Sequence, residues 1–321
     1  MNINYNMFFM LAVTLTMSLA GYAYEAEIDG IYYNFNNETK EASVTHNREN
    51  YWDWTNEAPY SGSVTIPSTV TYNETTYDVT SIGDYAFERC KSLTSVTIPE
   101  SVTSIGDYAF NSSSLASVIL PESVTSIGEG AFGWCPLTSI NIPNSLTRIS
   151  KGTFYATGLT SVTIPESVTS IGDEAFHYSS LASVTIPESV TSIGFEAFEG
   201  CMSLTSITIP GSVKSIGGRA FNWCFNLSSV TNLSKTPQEI DSEAFSIYGT
   251  LHVLEGCKEV YQNSEVWKKF NIIEDAQEIL GISNIGSETI AADKIFSISG
   301  KRLSTPQKGI NIINGKKVVV K

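Results

Sequence analysis

The sequence predicts a β-rich solenoid: a right-handed coil of about eight repeats of 22–24 residues, with an N-terminal β-hairpin cap and a small C-terminal β module. Three observations predict it. The stretch SVTIPESVTSIGDYAF at 95–110 returns almost unchanged at 161–176 and 183–198. An isoleucine recurs at Ile82, Ile105, Ile127, Ile149, Ile171, Ile193, Ile216 and Ile240, at intervals of 23, 22, 22, 22, 22, 23 and 24 residues. A phenylalanine stands five residues after each, from Phe87 and Phe110 to Phe221 and Phe245. A fixed period in this range marks a solenoid of leucine-rich type, in which one supersecondary unit is stacked on the next.

The elements follow in chain order. Met7 to Ala20 is an apolar stretch too short to span a bilayer comfortably and of the right length for the core of a signal peptide, so residues 1–23 are expected to be a leader cleaved after Ala20 or Ala23. Residues 24–60 alternate weakly and are rich in Tyr and Trp, which predicts a β-hairpin cap, with Trp52 and Trp54 as filler. An array needs such a cap because its end coil cannot cover its own apolar face. The solenoid occupies 61–275, with an inserted hairpin at Tyr72–Tyr77.

Within one repeat, Leu93, Val96 and Ile98 point inward from a short strand, and Ser95 and Thr97 outward, because successive strand side chains alternate. Pro99 lacks an N–H and ends the strand. Val102 and Ile105 return along a second side, Gly106 is expected to permit a tight bend, and Ala109 and Phe110 fill the third side. Near 249–275 one last strand and a short helix carrying Val260, Tyr261, Val266, Trp267 and Phe270 are expected to close the array. Residues 276–293 are expected as a linker, and 294–321 as a β module of three short strands in which Asn314-Gly315 signals a hairpin.

The formal charge is −14, but the residues from 291 onward carry seven Lys/Arg and one acidic group, about +6, leaving about −20 on residues 1–290. An acidic body argues against nucleic acid as a partner. Cys90, Cys135, Cys201 and Cys224 each stand three residues after a repeat Phe, where other repeats carry Ser113, Thr157 and Ser179. A place that accepts Cys, Ser or Thr asks for a small, weakly polar group bonded to a turn, so reduced thiols are expected; Cys201 and Cys224, in consecutive repeats, are the one pair placed to bridge. Of three histidines, His46 lies in the cap, His252 in the last strand, and His177 is expected to be a solvated variable position. No motif for a catalytic nucleophile, metal or cofactor stands out, and the sequence is read as a non-enzyme.

Two rows are candidate partner surfaces. Two residues after each Phe come Arg89, Ser112, Trp134, Ala156, Tyr178, Gly200 and Trp223, an aromatic edge to which Tyr85, Tyr108 and Tyr155 are added on the same side. The alternative is the outward strand face, whose clearest members are Ser95, Thr97, Ser161, Thr163, Ser183 and Thr185. Its hydroxyls suit a glycan or extended peptide, but Ser and Thr also simply pair well between strands. A third row, Glu100, Glu122, Glu166 and Glu188, is read as solvated loop charge in preference to a Ca²⁺ ladder.

The repeat SVTIPESVTSIGDYAF and its period resemble the BspA-like leucine-rich repeat family of bacterial and protist surface proteins, over roughly residues 61–270. That resemblance implies an exported cell-surface protein that binds an extracellular protein or glycan in adhesion; the alternative is a structural surface component without a specific ligand. The tail KIFSISGKRLSTPQKGINIINGKKVVVK resembles the C-terminal sorting domains of the type IX secretion system in Bacteroidetes, which implies secretion and outer-membrane attachment machinery as a partner.

Overall fold

The computed structural model describes residues 24–47 and 60–275, and the backbone of five strands between 283 and 320. The leader 1–23, Trp52 and Trp54, most of the 276–293 segment and the Asn314-Gly315 pair lie outside the described residues.

The chain winds into a β-solenoid of about nine turns at a spacing of about 22 residues. Each turn has three faces. The first carries strands such as Ser92–Thr97, Ser161–Thr163 and Ser183–Thr185, stacked parallel so that Ser161 lies beside Ser183 and Thr163 beside Thr185. The second carries the two-residue strands Ser104–Ile105, Ser126–Ile127, Ser170–Ile171 and Ser192–Ile193, also in register with their neighbours. On the third, the Phe side chains form one buried column whose rings stack from Phe87 to Phe245 at centroid separations of 5.0–5.9 Å. Identical residues stacked at strand spacing keep one dry core continuous along the axis, as nearest-neighbour assembly of repeats requires.

The polar letters of the repeat satisfy the backbone between coils. Ser101, Ser123, Ser167 and Ser189, the serines after Pro-Glu or their equivalents, donate Oγ–H bonds of 2.7 Å to Val79, Val102, Leu146 and Val168 carbonyls in the preceding coil. Asp84 and Asp107 each accept the N–H of the residue stacked on them, Asp107 at 2.8 Å and Glu129 at 2.7 Å. Gly106 does not act as a bend residue: its φ is not in the left-handed region. A Cβ there would meet Asp84 Oδ1 and stand 2.6 Å from Asp84 N, so glycine is required by the approach of the coil below.

All five cysteines are free and buried. Three thiols bond the Phe carbonyl of the preceding coil, Cys135 to Phe110 at 2.9 Å, Cys201 to Phe176 at 3.2 Å and Cys224 to Phe198 at 3.1 Å, whereas Thr157 at the equivalent place bonds Phe154 in its own turn at 3.1 Å.

The cap is an antiparallel meander of β1 (Ala26–Ile28), β2 (Ile31–Asn36) and β3 (Glu41–Thr45). After β4 (Ser61–Thr65) on the first face, β5 (Thr69–Tyr72) and β6 (Thr75–Ile82) form the inserted hairpin. Its turn holds Asn73 and Glu74 at positive φ, the geometry a two-residue hairpin needs. β3 pairs parallel with β6, so the cap continues the second-face sheet and buries Tyr33 and Phe35 over the first coil.

At the other end the helix is short: α1 spans Lys258–Gln262, and Trp267–Lys269 is a 3-10 turn. Tyr261, Val266, Trp267 and Phe270 cover the last rungs, whereas Val260 is exposed. The expected last strand, Thr250–Val253, is followed by another rung, Asn271–Glu274, which pairs parallel with it. In the C-terminal module Gly309–Ile313 and Lys316–Val320 pair antiparallel with Ile313 opposite Lys316, the register of a two-residue hairpin. Ser283–Ile285, within the segment expected as linker, pairs parallel with Lys316–Val320.

Candidate functional site

The third face is built from two turns per coil, and both require the left-handed backbone region. Two residues before each core Phe, Tyr85, Tyr108, Glu174, Glu196 and Arg219 have φ of 54–58°. Two residues after it, Arg89, Ser112, Trp134, Ala156, Tyr178 and Trp223 have φ of 51–58°. Non-glycine residues rarely adopt this region, and here a whole row does. The turn throws those side chains outward along one edge of the solenoid.

The row becomes an aromatic ledge. Trp134 lies 5.4 Å from Tyr155, Tyr155 6.4 Å from Tyr178, and Tyr178 6.0 Å from Trp223, measured between ring centroids. The last contact skips a coil, and Gly200 is why. At φ +71°, its Cβ would stand 2.6 Å from Tyr178 Cε1, so its bareness lets the Tyr178 ring lie across the intervening coil and reach Trp223. Trp134 is 60%, Trp223 44% and Tyr178 37% exposed. Tyr85 and Tyr108 form a separate parallel stack at 5.4 Å. Tyr108 nonetheless joins Trp134, Tyr155, Lys151 and Glu174 around a 230 Å³ cleft, where Lys151 Nζ stands 3.4 Å from Glu174 Oε1. The six aromatic residues singled out from the sequence therefore lie along one edge, as one pair and one chain of four.

Beneath the ledge the structure departs from expectation. His177 is buried, not solvated, because it is tucked against the Tyr155 and Tyr178 rings of the ledge. Its imidazole lies 4.4 Å from Tyr178 and 4.9 Å from Tyr155. Burial lowers its pKa, opposed by Glu196 and Glu174. Burial and then the Glu196 carboxylate raise that of Glu199, at the same position one coil on. Sequence reasoning missed the burial of His177 and Glu199; a position that changes between Glu, Asn, His and Tyr from repeat to repeat reads as surface variation when its neighbours' reach is unknown.

The strand face gives Ser95, Thr97, Ser161, Thr163, Ser183 and Thr185 as exposed hydroxyls in flat register. Ser95 Oγ donates to Ser63 Oγ at 2.7 Å, so part of this row bonds to itself. The large side chain on the face is Ile119, 81% exposed. A larger groove, 510 Å³, runs along the second face past Asp84, Asp107 and Arg148, but its Asp carboxylates are already engaged by backbone N–H groups. Of the glutamate row, Glu122 accepts from Asn144 N at 2.9 Å, and the others stand in solvent. No helix among the described residues is long and apolar enough to cross a membrane.

A stacked solenoid with a periodic core and a variable aromatic edge is the architecture of a leucine-rich-repeat protein. The family profile described as the BspA type leucine rich repeat region matches in six copies over residues 80–203 and 169–274, and the chain belongs to that family. Among solved structures it is similar to a leucine rich cell surface protein from Faecalibacterium prausnitzii A2-165, with 38% identity and a TM-score of 0.56 over 69% of this chain and 57% of that one. The chain thus spans little more than half of that relative. It is also similar to the T. pallidum leucine rich repeat protein, with 27% identity and a TM-score of 0.51 over 63% of this chain and 90% of that one. No curated protein matches it.

Proposed function

We propose that this is an exported cell-surface binding protein whose aromatic ledge contacts an extracellular protein or glycan in adhesion. The observation that carries the reading is the continuous run Trp134–Tyr155–Tyr178–Trp223, of which Trp134, Tyr178 and Trp223 stand exposed on left-handed turns that do not need large side chains there. Aromatic side chains supply large contact area at low conformational entropy and dominate recognition surfaces. The strand face, with hydroxyls only, lacks such anchors. The similarity to a named cell surface protein supports display outside the cell, and the leader at 1–23 fits export. The basic C-terminal module, with its registered hairpin, fits a type IX sorting domain that engages secretion and outer-membrane attachment machinery.

The test is binding of the purified chain to an array of extracellular-matrix proteins and glycans, with a Trp134→Ala/Trp223→Ala variant alongside. Two anchors of about 2 kcal/mol each, if additive, imply a loss on the order of 1,000-fold. Specific binding that survives in the double variant would remove the ledge as the site. The class of array member retained by the wild type tells protein from glycan.

A further inference from the structure

Under the ledge the coils bring together three residues that the sequence keeps apart in role. His177 belongs to one coil, and Glu196 and Glu199 to the next; one ligand atom from each lies within 4.8 Å of the others. We infer that His177, Glu196 and Glu199 form a binding site for a divalent first-row transition-metal ion.

Burial and unmet bonding carry the argument. His177 is 8% and Glu199 3% exposed. Neither ring nitrogen of His177 has a hydrogen-bond partner, and neither has Glu199 Oε2. A buried polar atom left without a partner is expensive, and a single ion would serve one imidazole nitrogen together with Glu199 Oε2. The Nδ1 of His177 stands 3.4 Å from Glu196 Oε2 without the alignment of a hydrogen bond.

The outer oxygens are held. Asn222 Nδ2 donates to Glu199 Oε1 at 3.0 Å, and Arg219 Nη1 stands 3.4 Å from Glu196 Oε1. Each carboxylate is thereby oriented by a neighbour with its second oxygen left over, the arrangement that surrounds metal ligands. The Tyr155 and Tyr178 rings flank the imidazole and restrict its rotation.

One nitrogen and two carboxylate oxygens suit Zn²⁺ and its first-row neighbours, whereas Ca²⁺ takes six to eight oxygens. Ligands at about 2.1 Å from a tetrahedral ion lie about 3.4 Å apart, so the triad, now within 4.8 Å, would close by shifts of about 1 Å. Three protein ligands leave a fourth position for water or an incoming group.

The test is calorimetric titration of the untagged, metal-free full chain with Zn²⁺, with Ca²⁺ as the contrast, on wild type, His177→Asn and Glu199→Gln. His177→Asn is chosen because Asn111 fills the same position three repeats earlier, donating to the Gly130 carbonyl, so the scaffold accepts it. Glu199→Gln keeps the shape and the Asn222 contact. The expected result is one Zn²⁺ per wild-type chain, little response to Ca²⁺, and affinity reduced by at least about 100-fold in each variant, since losing a ligand exceeds the 10–100-fold of a lost supporting bond. Co²⁺ gives visible d–d absorption in the wild type and none in His177→Asn. No Zn²⁺ binding by the wild type, or binding that survives in His177→Asn whatever holds the ion, overturns the assignment.

Discussion

Replacing Gly106 by alanine tests the physical reason for a glycine that recurs through the array. The added Cβ would stand 2.6 Å from Asp84 N and overlap Asp84 Oδ1, the oxygen that accepts the Asp107 N–H at 2.8 Å. Relieving the overlap means lifting the coil or turning the Asp84 carboxylate away. Overpacking of this kind costs about 1–3 kcal/mol, and loss of the capping bond about 1 more. Alanine regains about 0.4–1 kcal/mol by restricting the unfolded chain, because φ at 106 is one alanine can adopt. The net expectation is a loss of about 2 kcal/mol.

Gly172 provides the internal comparison. It stacks on a coil that carries Ser150 and Lys151 in place of Gly and Asp, and its nearest contacts for a Cβ are 2.9 Å. The same substitution there should cost about 1 kcal/mol or less, by the same terms. The assay is equilibrium urea denaturation, with the midpoints compared at equal m-value. Equal losses at 106 and 172, or a neutral Gly106→Ala, would refute the close-approach account. So would the absence of coupling in an Asp84→Ala/Gly106→Ala cycle, since removing the carboxylate should relieve part of the clash.

Three further outcomes are expected. Burial pushes the Cys201 thiol up to about 12 and raises Cys135 and Cys224, so native protein near pH 8 should resist alkylation while unreduced, denatured protein labels at five thiols; three labels would reveal a Cys201–Cys224 bridge. Burial raises the Tyr33 hydroxyl from 10.0 to about 12, so the folded state binds more protons than the unfolded one between those values. Its stabilisation is whole below about pH 10 and falls as pH rises towards 12, on the order of 1 kcal/mol lost by pH 11, and Tyr33→Phe should flatten that part of the urea-midpoint profile. Phe154→Ala removes a fully buried ring stacked at 5.9 and 5.4 Å on its neighbours. It should cost about 3–5 kcal/mol and split unfolding into two blocks, because repeats couple only to their neighbours; a single sharp transition with little loss would show that the column is not the core.

The scaffold was legible because its rules are periodic. Ile105, Phe110, Val96 and Pro99 recur at fixed offsets, and each offset has one meaning in a stacked strand. Gly106 was legible as special but not for its reason, since a bend and a close approach leave the same letter, and only the position of Asp84 separates them. The bonding of Ser101 and Asp84 across coils was hidden because the partner is a backbone atom about 22 residues away. His177 was misjudged for a related cause: its surroundings are set by Tyr155 and Tyr178, in its own and the preceding coil, and by Glu196 in the next. What a repeat says about itself can be read along the chain; what it says to its neighbours needs the stacking.

The ledge raises an energetic question that the scaffold does not answer. A left-handed backbone costs a non-glycine residue about 1–2 kcal/mol, and Gly200 shows that the array can use glycine at this position. Trp134, Tyr178 and Trp223 accept that cost while leaving much of their apolar surface in water. Folding therefore gains less from them than from the same residues placed inside. Tyr178 does cover Gly200 and His177, which recovers part of the cost. Trp134, with the largest exposure of the three, recovers least. If stability alone shaped this edge, Trp134→Gly should destabilise the protein; if recognition shaped it, the substitution should stabilise the protein or leave it unchanged. That result, together with loss of binding in the same variant, would place the purpose of the residue in recognition; a clear loss of stability would return it to the scaffold.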